Sequence, residues 1–483
     1  ILLQDARAWE TAAYQAIIPI EEDTFTPGKE IPFSISLSAK SHKQQSPIRV
    51  EIDPSQKLQD WSGFGGNFVF GSGSEEARYC LRNLQLDWAR TEMPLKHWEP
   101  RNDNAAPDST NWKFFNRRDR KGSTLHTRFE FDEKLAKQVS HLITSIWYLP
   151  SWLGEKESPS GQIESRRVPS EQWPELIESI CSYLLYQREK YGVEPDLFSF
   201  NEPSLGVHVK FSSSEYAAFL KRLLQAFDEH GIGTKILLGD TANSGRSAYN
   251  FANSLASKPL IRKNTGAVSF HAWGRATPDS WPRWRGLADE LGVPLVVGEL
   301  GGEAGVRDFD QRNTLNYTMD EMLQYQNVLG AAQPQAILQW QCTDNYGVVR
   351  FAPNSEESGE TSLQRTMRFS MLQQYAASTP PGLVHVQSNA DHPAVTVNAF
   401  VGNEKGGEKR FVCHISNPGY RKKAHISGFP RTINAFEIRQ TTWADSESTK
   451  DTEVEISNPD HHEVTLPAHS LTTYTATFPP GNR

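Results

Sequence analysis

"FSFNEPSLG", residues 198–206, puts Asn201, Glu202 and Pro203 straight after a short aromatic-rich run that reads as a β-strand. A second run, "PLVVGELGG" at 294–302, ends in the same way on Glu299. The two glutamates are 97 residues apart (299 − 202), so only the fold can bring them together. One carboxylate at a strand end is common in structural roles. Two at equivalent addresses raise the question of how many such strands there are.

Working outward, eight apolar runs alternate with helical patterns, at 61–66, 86–91, 141–147, 197–201, 235–240, 267–273, 294–299 and 336–341. Their apolar residues are continuous rather than alternating, as in parallel strands covered on both faces. Between them, residues 170–191 carry Trp173, Leu176, Ile177, Ile180 and Leu184 at helical spacing, with Gly192 as a stop signal. Residues 213–231 repeat the pattern behind Ser212 and Glu215, which have capping-box spacing. Helices are also expected at 318–331 and 363–376. Eight strand–helix units over roughly 300 residues fit a (β/α)8 TIM barrel. No G-x-G-x-x-G opens a helix after the first strand, so a dinucleotide fold has little support.

Past residue 380 the chain turns to short β-prone segments between Gly, Pro, Asn and Asp clusters, at 383–387, 394–400, 410–415, 433–439, 453–456 and 471–477. This reads as an appended antiparallel β-sandwich. The stretch 31–52 is strand-like too. The expected division is therefore 1–60 as N-terminal strands joining the sandwich, 61–378 as the barrel and 379–483 as the C-terminal sandwich.

Composition narrows the function. The chain has 483 residues, 37% hydrophobic and 22% charged, and a net charge of −8 with the signs interspersed, which argues against a nucleic-acid surface. No apolar run reaches the length of a membrane span. Cys80, Cys181, Cys342 and Cys413 lie far apart and read as buried free thiols rather than a zinc site or disulfide framework. Aromatics are plentiful, with 13 Trp, 14 Tyr and 24 Phe. Loop tryptophans such as Trp98, Trp112, Trp152, Trp281 and Trp284 suit a sugar-binding surface, although core packing accounts for some of them.

In a (β/α)8 barrel the functional side chains gather at the C-terminal strand ends. Those ends hold Arg90, Trp147, Asn201, Glu202, Asp240, His271, Trp273, Glu299 and Trp340. Two carboxyl groups facing one another across that mouth are what glycosidic cleavage needs: one protonated to serve the leaving oxygen, one ionised to attack the anomeric carbon. Asp240 and Glu303 are rival acids, with Asp240 better suited to orienting neighbours. His271 has no partners at metal-ligand spacing, so neither metal nor cofactor is implied. Two other readings stand beside the hydrolase: a carbohydrate-binding barrel without turnover, and a different barrel hydrolase or lyase built on Asp240 and His271.

The chain resembles clan A of the glycoside hydrolases, most closely glycoside hydrolase family 30 and its relatives. "WSGFGGNF" (61–68) resembles the first barrel strand of that family, and "LPSWL" (149–153) its Pro-Pro-Ala-Trp-Met stretch after the third. "FNEP" resembles the acid/base motif, "VVGELGG" the nucleophile strand, and "LPAHSLTTYT" (466–475) the last sandwich strand. The resemblance implies a retaining β-glycoside hydrolase acting on an oligo- or polysaccharide. Glu202 would be the acid/base and Glu299 the nucleophile. Asn201 would bond the sugar 2-hydroxyl, Arg90 would hold the nucleophile ionised, and Trp147, His271, Trp273 and Trp340 would contact substrate. A monomer is expected, with carbohydrate as its partner, exported to the periplasm or cell exterior after loss of a leader that this sequence does not contain.

Overall fold

A computed structural model describes residues 46–478, apart from 108, 157–164, 207, 275–277, 307, 354–360, 404–407, 431, 434 and 456–461, together with the strands Leu2–Asp5 and Tyr14–Ile17. Eight strands close a barrel: β1 (Gly63–Asn67), β2 (Trp88–Glu92), β3 (His141–Ile146), β4 (Leu197–Phe200), β5 (Lys235–Thr241), β6 (Thr265–Ala272), β7 (Leu295–Leu300) and β8 (Ala336–Gln339). Every neighbouring pair is parallel, and β8 closes on β1. Each strand lies within two residues of its sequence-based bounds.

The strands are apolar throughout because each face meets a different core. Trp88, Ile143, Leu197, Leu237, Ala267, Val296, Ala336 and Leu338 point inward and fill the barrel. Phe198, Phe200, Ile236, Leu238, Val268, Phe270, Leu295 and Val297 point outward into the helical layer. Gly65 stands opposite Trp88, and a Cβ there would lie 2.6 Å from the Trp88 carbonyl oxygen and 2.7 Å from Leu338. The glycine therefore lets β1 lie this close to the Trp88 backbone and to Leu338.

The helix caps follow local chemistry. Helix Trp173–Tyr191 ends on Gly192 in the left-handed conformation, φ +66°. Helix Ser213–Glu229 carries both bonds of the Ser212–Glu215 capping box. The helix expected at 363–376 begins later, at Met367, because Thr366 caps it and Thr361–Arg365 pairs as a strand with Val349–Pro353. The four cysteines are free and buried. Trp98, Trp281 and Trp284 are core residues, at most 1% exposed, and not part of a sugar-binding surface. Trp281 and Trp284 open a helix, and their indole nitrogens donate to Ser244.

A nine-stranded sheet forms the second unit, with its own core that includes Val50, Val386, Phe411, Ile426, Phe436 and Tyr474. It departs from the expected antiparallel pattern at one place, where Ile48–Asp60 runs parallel to Lys422–Ser427. Ile48–Asp60 enters from the N-terminal side of the barrel, so no hairpin ties its direction to that neighbour. It also pairs antiparallel with Leu383–Ala390. The strands Leu2–Asp5 and Tyr14–Ile17 pair with each other in a separate two-stranded sheet, and the strand-like stretch at 31–38 lies outside the described residues.

Trp61 joins the two units. Its backbone N–H donates to Leu383 O at 2.8 Å and its indole N–H to Thr379 O at 3.1 Å. Its ring packs on Phe64 of the barrel and Phe400 of the sheet, at 4.6 and 5.6 Å. Trp61→Ala removes a buried aromatic and both ring contacts, so urea unfolding should show a loss of about 3–5 kcal/mol.

Candidate active site

The period of two along a strand explains half of the site. Counting from the inward core layer, Arg90 follows Trp88 by two residues. Ser145 and Trp147 follow Ile143 by two and four, Ser199 and Asn201 follow Leu197, Ser269 and His271 follow Ala267, and Trp340 follows Leu338. All of these have the parity of the barrel interior and stand above its apolar plug.

The three acids have the opposite parity. Asp240 continues the outward series Ile236–Leu238, Glu299 the series Leu295–Val297, and Glu202 the series Phe198–Phe200. Backbone irregularities turn them inward. The ladder shifts register between Gly239 and Thr241, and again between Val297 and Leu300. Asp240 and Glu202 both adopt φ +47°, a left-handed conformation that costs a non-glycine residue about 1–3 kcal/mol. The Glu202 N–H donates to Asp240 O at 3.0 Å, so the two turned residues brace each other.

Arg90 is fully buried, and its donors reach five side chains. Nε donates to Ser145 Oγ at 2.9 Å. One terminal nitrogen donates to Glu299 Oε1 at 2.7 Å and Asn67 Oδ1 at 3.2 Å. The other donates to Asp240 Oδ2 at 2.5 Å and Asn201 Oδ1 at 2.9 Å. Trp147 lies flat against the guanidinium, 4.3 Å from ring centre to Cζ. Arginine has no acceptor, so Asn201 must turn its oxygen to Arg90 and its NH2 away.

His271, also fully buried, links the carboxylates. Nε2 lies 3.0 Å from Asp240 Oδ1, and Nδ1 lies 2.9 Å from Glu202 Oε1 and 3.3 Å from Glu299 Oε2. Burial alone would depress its pKa, but Glu299, Asp240 and Glu202 around it push it up to about 10. As an imidazolium it donates from both nitrogens. Burial would raise Asp240, yet Arg90, His271 and Ser199 outweigh it and hold that carboxyl down at about 2. For Glu299 burial wins: against the pull of His271 and Arg90, and helped by Glu202, it lifts the carboxyl to about 7.

Glu202, His271 and Glu299 thus converge, with one polar atom of each within 4.8 Å of the others. That spacing would suit a metal ion, but both imidazole nitrogens face carboxylates and Glu299 is already bonded to Arg90. The alternative centred on Asp240 and His271 meets a geometric obstacle, because both side chains have 0% exposure beneath the glutamates. Trp340 stacks on Trp147 at 5.9 Å and meets Trp273 and Tyr346 edge-on at 6.3 and 6.0 Å. The peptide bond after Trp340 is cis.

Two contributors escaped the sequence reading. Asn67, at the end of β1, accepts from Arg90 and donates to Gly298 O and Gln339 O at 2.9 and 3.1 Å. It has inward parity from Gly65, a signal present in "GFGGN". Gly298 is the other: a Cβ there would sit 2.9 Å from Asp240 Oδ1 and 2.7 Å from Ser269 Oγ. Only a residue without a side chain lets β7 pass so close to the buried carboxylate.

No protein-family profile and no curated protein sequence matches the chain. Solved structures do. A family 30 endoxylanase from Clostridium papyrosolvens superposes with a TM-score of 0.68 at 16% identity, over 88% of this chain and 99% of that one. A conserved exported protein from Bacteroides fragilis gives 0.64 at 12% identity, over 89% and 100%. A family 51 α-L-arabinofuranosidase from Thermotoga petrophila gives 0.57 at 13%, over 89% and 100%. The chain shares with these proteins the fold of a TIM barrel carrying a β-sandwich.

The charge balance at Arg90 yields a stability prediction. Arg90→Met leaves Asp240 and Glu299 buried without their cation, and chemical denaturation should show a loss of about 3–5 kcal/mol. A loss below about 1 kcal/mol would show that the carboxylates do not depend on it.

Proposed function

We propose that the chain is a retaining glycoside hydrolase that cleaves β-linked oligo- or polysaccharides, with Glu299 as nucleophile and Glu202 as acid/base. The observation that carries this reading is the single His271 nitrogen lying between the two carboxylates. One oxygen of each stands within 4.8 Å of one of the other, which supports the roughly 5–5.5 Å carboxyl separation of retaining enzymes over the wider gap that inversion needs.

Charge counting supports the division of roles. Arg90 and His271 supply two positive charges to three carboxyls, so Glu202 and Glu299 share one proton. Glu299 lies against both cations, whereas Glu202 meets only His271, which suits Glu299 to the role of attacking anion and Glu202 to that of proton donor. A Glu299 oxygen attacks the anomeric carbon, the bond to the leaving oxygen breaks, and the Glu202 proton passes to that oxygen. Glu299 is now a neutral ester and Glu202 a carboxylate. Negative charge has moved from one to the other, and His271 Nδ1 remains within 3.3 Å of whichever holds it. Water then gives a proton to Glu202 and attacks the anomeric carbon, which frees Glu299 with net retention.

The Asn201 NH2, turned away from Arg90, is placed to donate to a sugar 2-hydroxyl. Trp273 and Trp340 offer apolar faces for the ring. Xylan is the first substrate to try, given the endoxylanase fold, with arabinofuranosides second. Polysaccharide as substrate also favours a site of action outside the cytoplasm, and no helix among the described residues is long and apolar enough to cross a membrane.

Two measurements test the reading. Glu202→Ala should lose about 10²–10⁴-fold on a natural glycoside and far less in the first step on an activated aryl glycoside. Azide should restore turnover of Glu202→Ala with a β-glycosyl azide as product, and of Glu299→Ala with the α-azide. Exchanged products would reverse the two roles, and no rescue of either variant would remove both from the chemistry.

The pH profile is the second. The active pair carries one proton, so kcat/KM should fall as pH rises through the burial-raised apparent value of the coupled pair, about 7, where that proton is lost. Activity undiminished up to about pH 9 would contradict the burial-raised carboxyl.

A further inference from the structure

A second acidic cluster lies outside the catalytic centre. Glu99 follows β2 on the C-terminal rim, Asp103 is on the same segment, and Glu178 is on helix Trp173–Tyr191. One carboxylate oxygen from each lies within 4.8 Å of the others. Glu99 is 0% and Glu178 7% exposed, so these acids do not belong to a solvated face.

Glu178 makes the cluster more than a group of acids. Among the described residues both its oxygens are buried without a hydrogen bond of good geometry, although the Thr110 hydroxyl beside them favours the ionised form. The charges acting on it, Glu99, Asp103 and Glu175, are all negative. Glu99, by contrast, is well held. One oxygen accepts the Asp103 N–H at 3.1 Å, the other accepts the Ser179 hydroxyl, and its carbonyl accepts the Trp152 indole N–H at 2.8 Å. The ligand shell is therefore partly built, and one buried carboxylate points into it unpaired. A buried anion in that state is costly unless a cation meets it.

We propose that Glu99, Asp103 and Glu178 bind a calcium ion that fastens residues 99–103 to helix Trp173–Tyr191 on the barrel rim. Three carboxylates offer hard oxygen donors of the kind calcium takes, and water can complete a shell of six to eight oxygens. Glu175, one turn before Glu178 on the same helix face, adds to the negative field. Through Trp152 the site also touches the loop after β3, which flanks Trp147. Burial, reinforced by the neighbouring acids, lifts Glu99 to about 7 and Glu178 to about 8.

The test uses the full chain, stripped with EDTA and dialysed. Calorimetric titration with CaCl2 should give one site per chain. Calcium at about 100-fold excess over Kd should raise Tm by about 2–5 °C. Terbium should luminesce when tryptophan is excited, since Trp98 and Trp152 adjoin Glu99, and calcium should quench the signal by displacement. Glu178→Gln should lose all three responses. In EDTA the variant should be at least as stable as the parent, because the unpaired charge is gone. Absence of heat and of a Tm shift at millimolar CaCl2 in the parent chain would overturn the proposal and leave a cluster of protonated acids. Equal calcium responses in parent and Glu178→Gln would overturn it as well. None of these readouts depends on glycosidase activity, so this proposal and the proposed function can fail separately.

Discussion

The centre of this protein depends on one buried guanidinium. Arg90 has 0% exposure and forms hydrogen bonds to five side chains that come from β1, β3, β5, β7 and the end of β4. A lysine could not make this set of contacts, because it carries a single nitrogen at the end of a flexible stem. The planar fork of arginine matches several acceptors at once with little further loss of entropy. Without that cation the barrel mouth would hold three buried carboxyls against His271 alone. With it, two positive charges face the three carboxyls.

Parts of the backbone serve the acids at a cost in strain. Strict strand alternation would have pointed Asp240, Glu299 and Glu202 into the helical layer, among Phe198, Leu238 and Val297. Two register shifts and two left-handed residues turn them into the mouth instead. The surrounding barrel absorbs that strain because its interior is filled below the site by the layer from Trp88 to Leu338. Glycines complete the arrangement: Gly298 allows β7 past Asp240, and Gly301 leaves space for the Trp273 ring, which a Cβ would approach to 2.5 Å.

The nine-stranded sheet supports the barrel from the side of β1 and β8. Gln374, on the helix Met367–Ser378, donates to Thr473 Oγ1 at 2.7 Å, and Asn398 donates to Gln326 O at 3.0 Å. These bonds join buried polar groups across the seam, so the helices next to β8 are held by two cores. Trp340 and Tyr346, which form one wall of the mouth, follow β8 directly.

Much of this architecture is legible in the chain itself. Continuous apolar runs separated by amphipathic helices specify a parallel barrel, because only strands covered on both faces have that composition. Parity then assigns Arg90, Ser145, Asn201 and His271 to the interior from residue spacing alone. The strand-end glutamates are visible as residues, but their orientation is not. Glu202, Asp240 and Glu299 have the wrong parity for the mouth, and bulges and left-handed turns that bring them in depend on hydrogen bonds across neighbouring strands, such as Glu202 N–H to Asp240 O. The burial of Trp98, Trp281 and Trp284 was likewise decided by what packs over them. So was the convergence of Glu99 and Asp103 on Glu178, which lies 79 residues along the chain from Glu99 (178 − 99). Periodicity is a local property, read within a dozen residues. Proton sharing, burial of charge and ligand geometry arise from distances between strands and helices, and only the closed fold sets those.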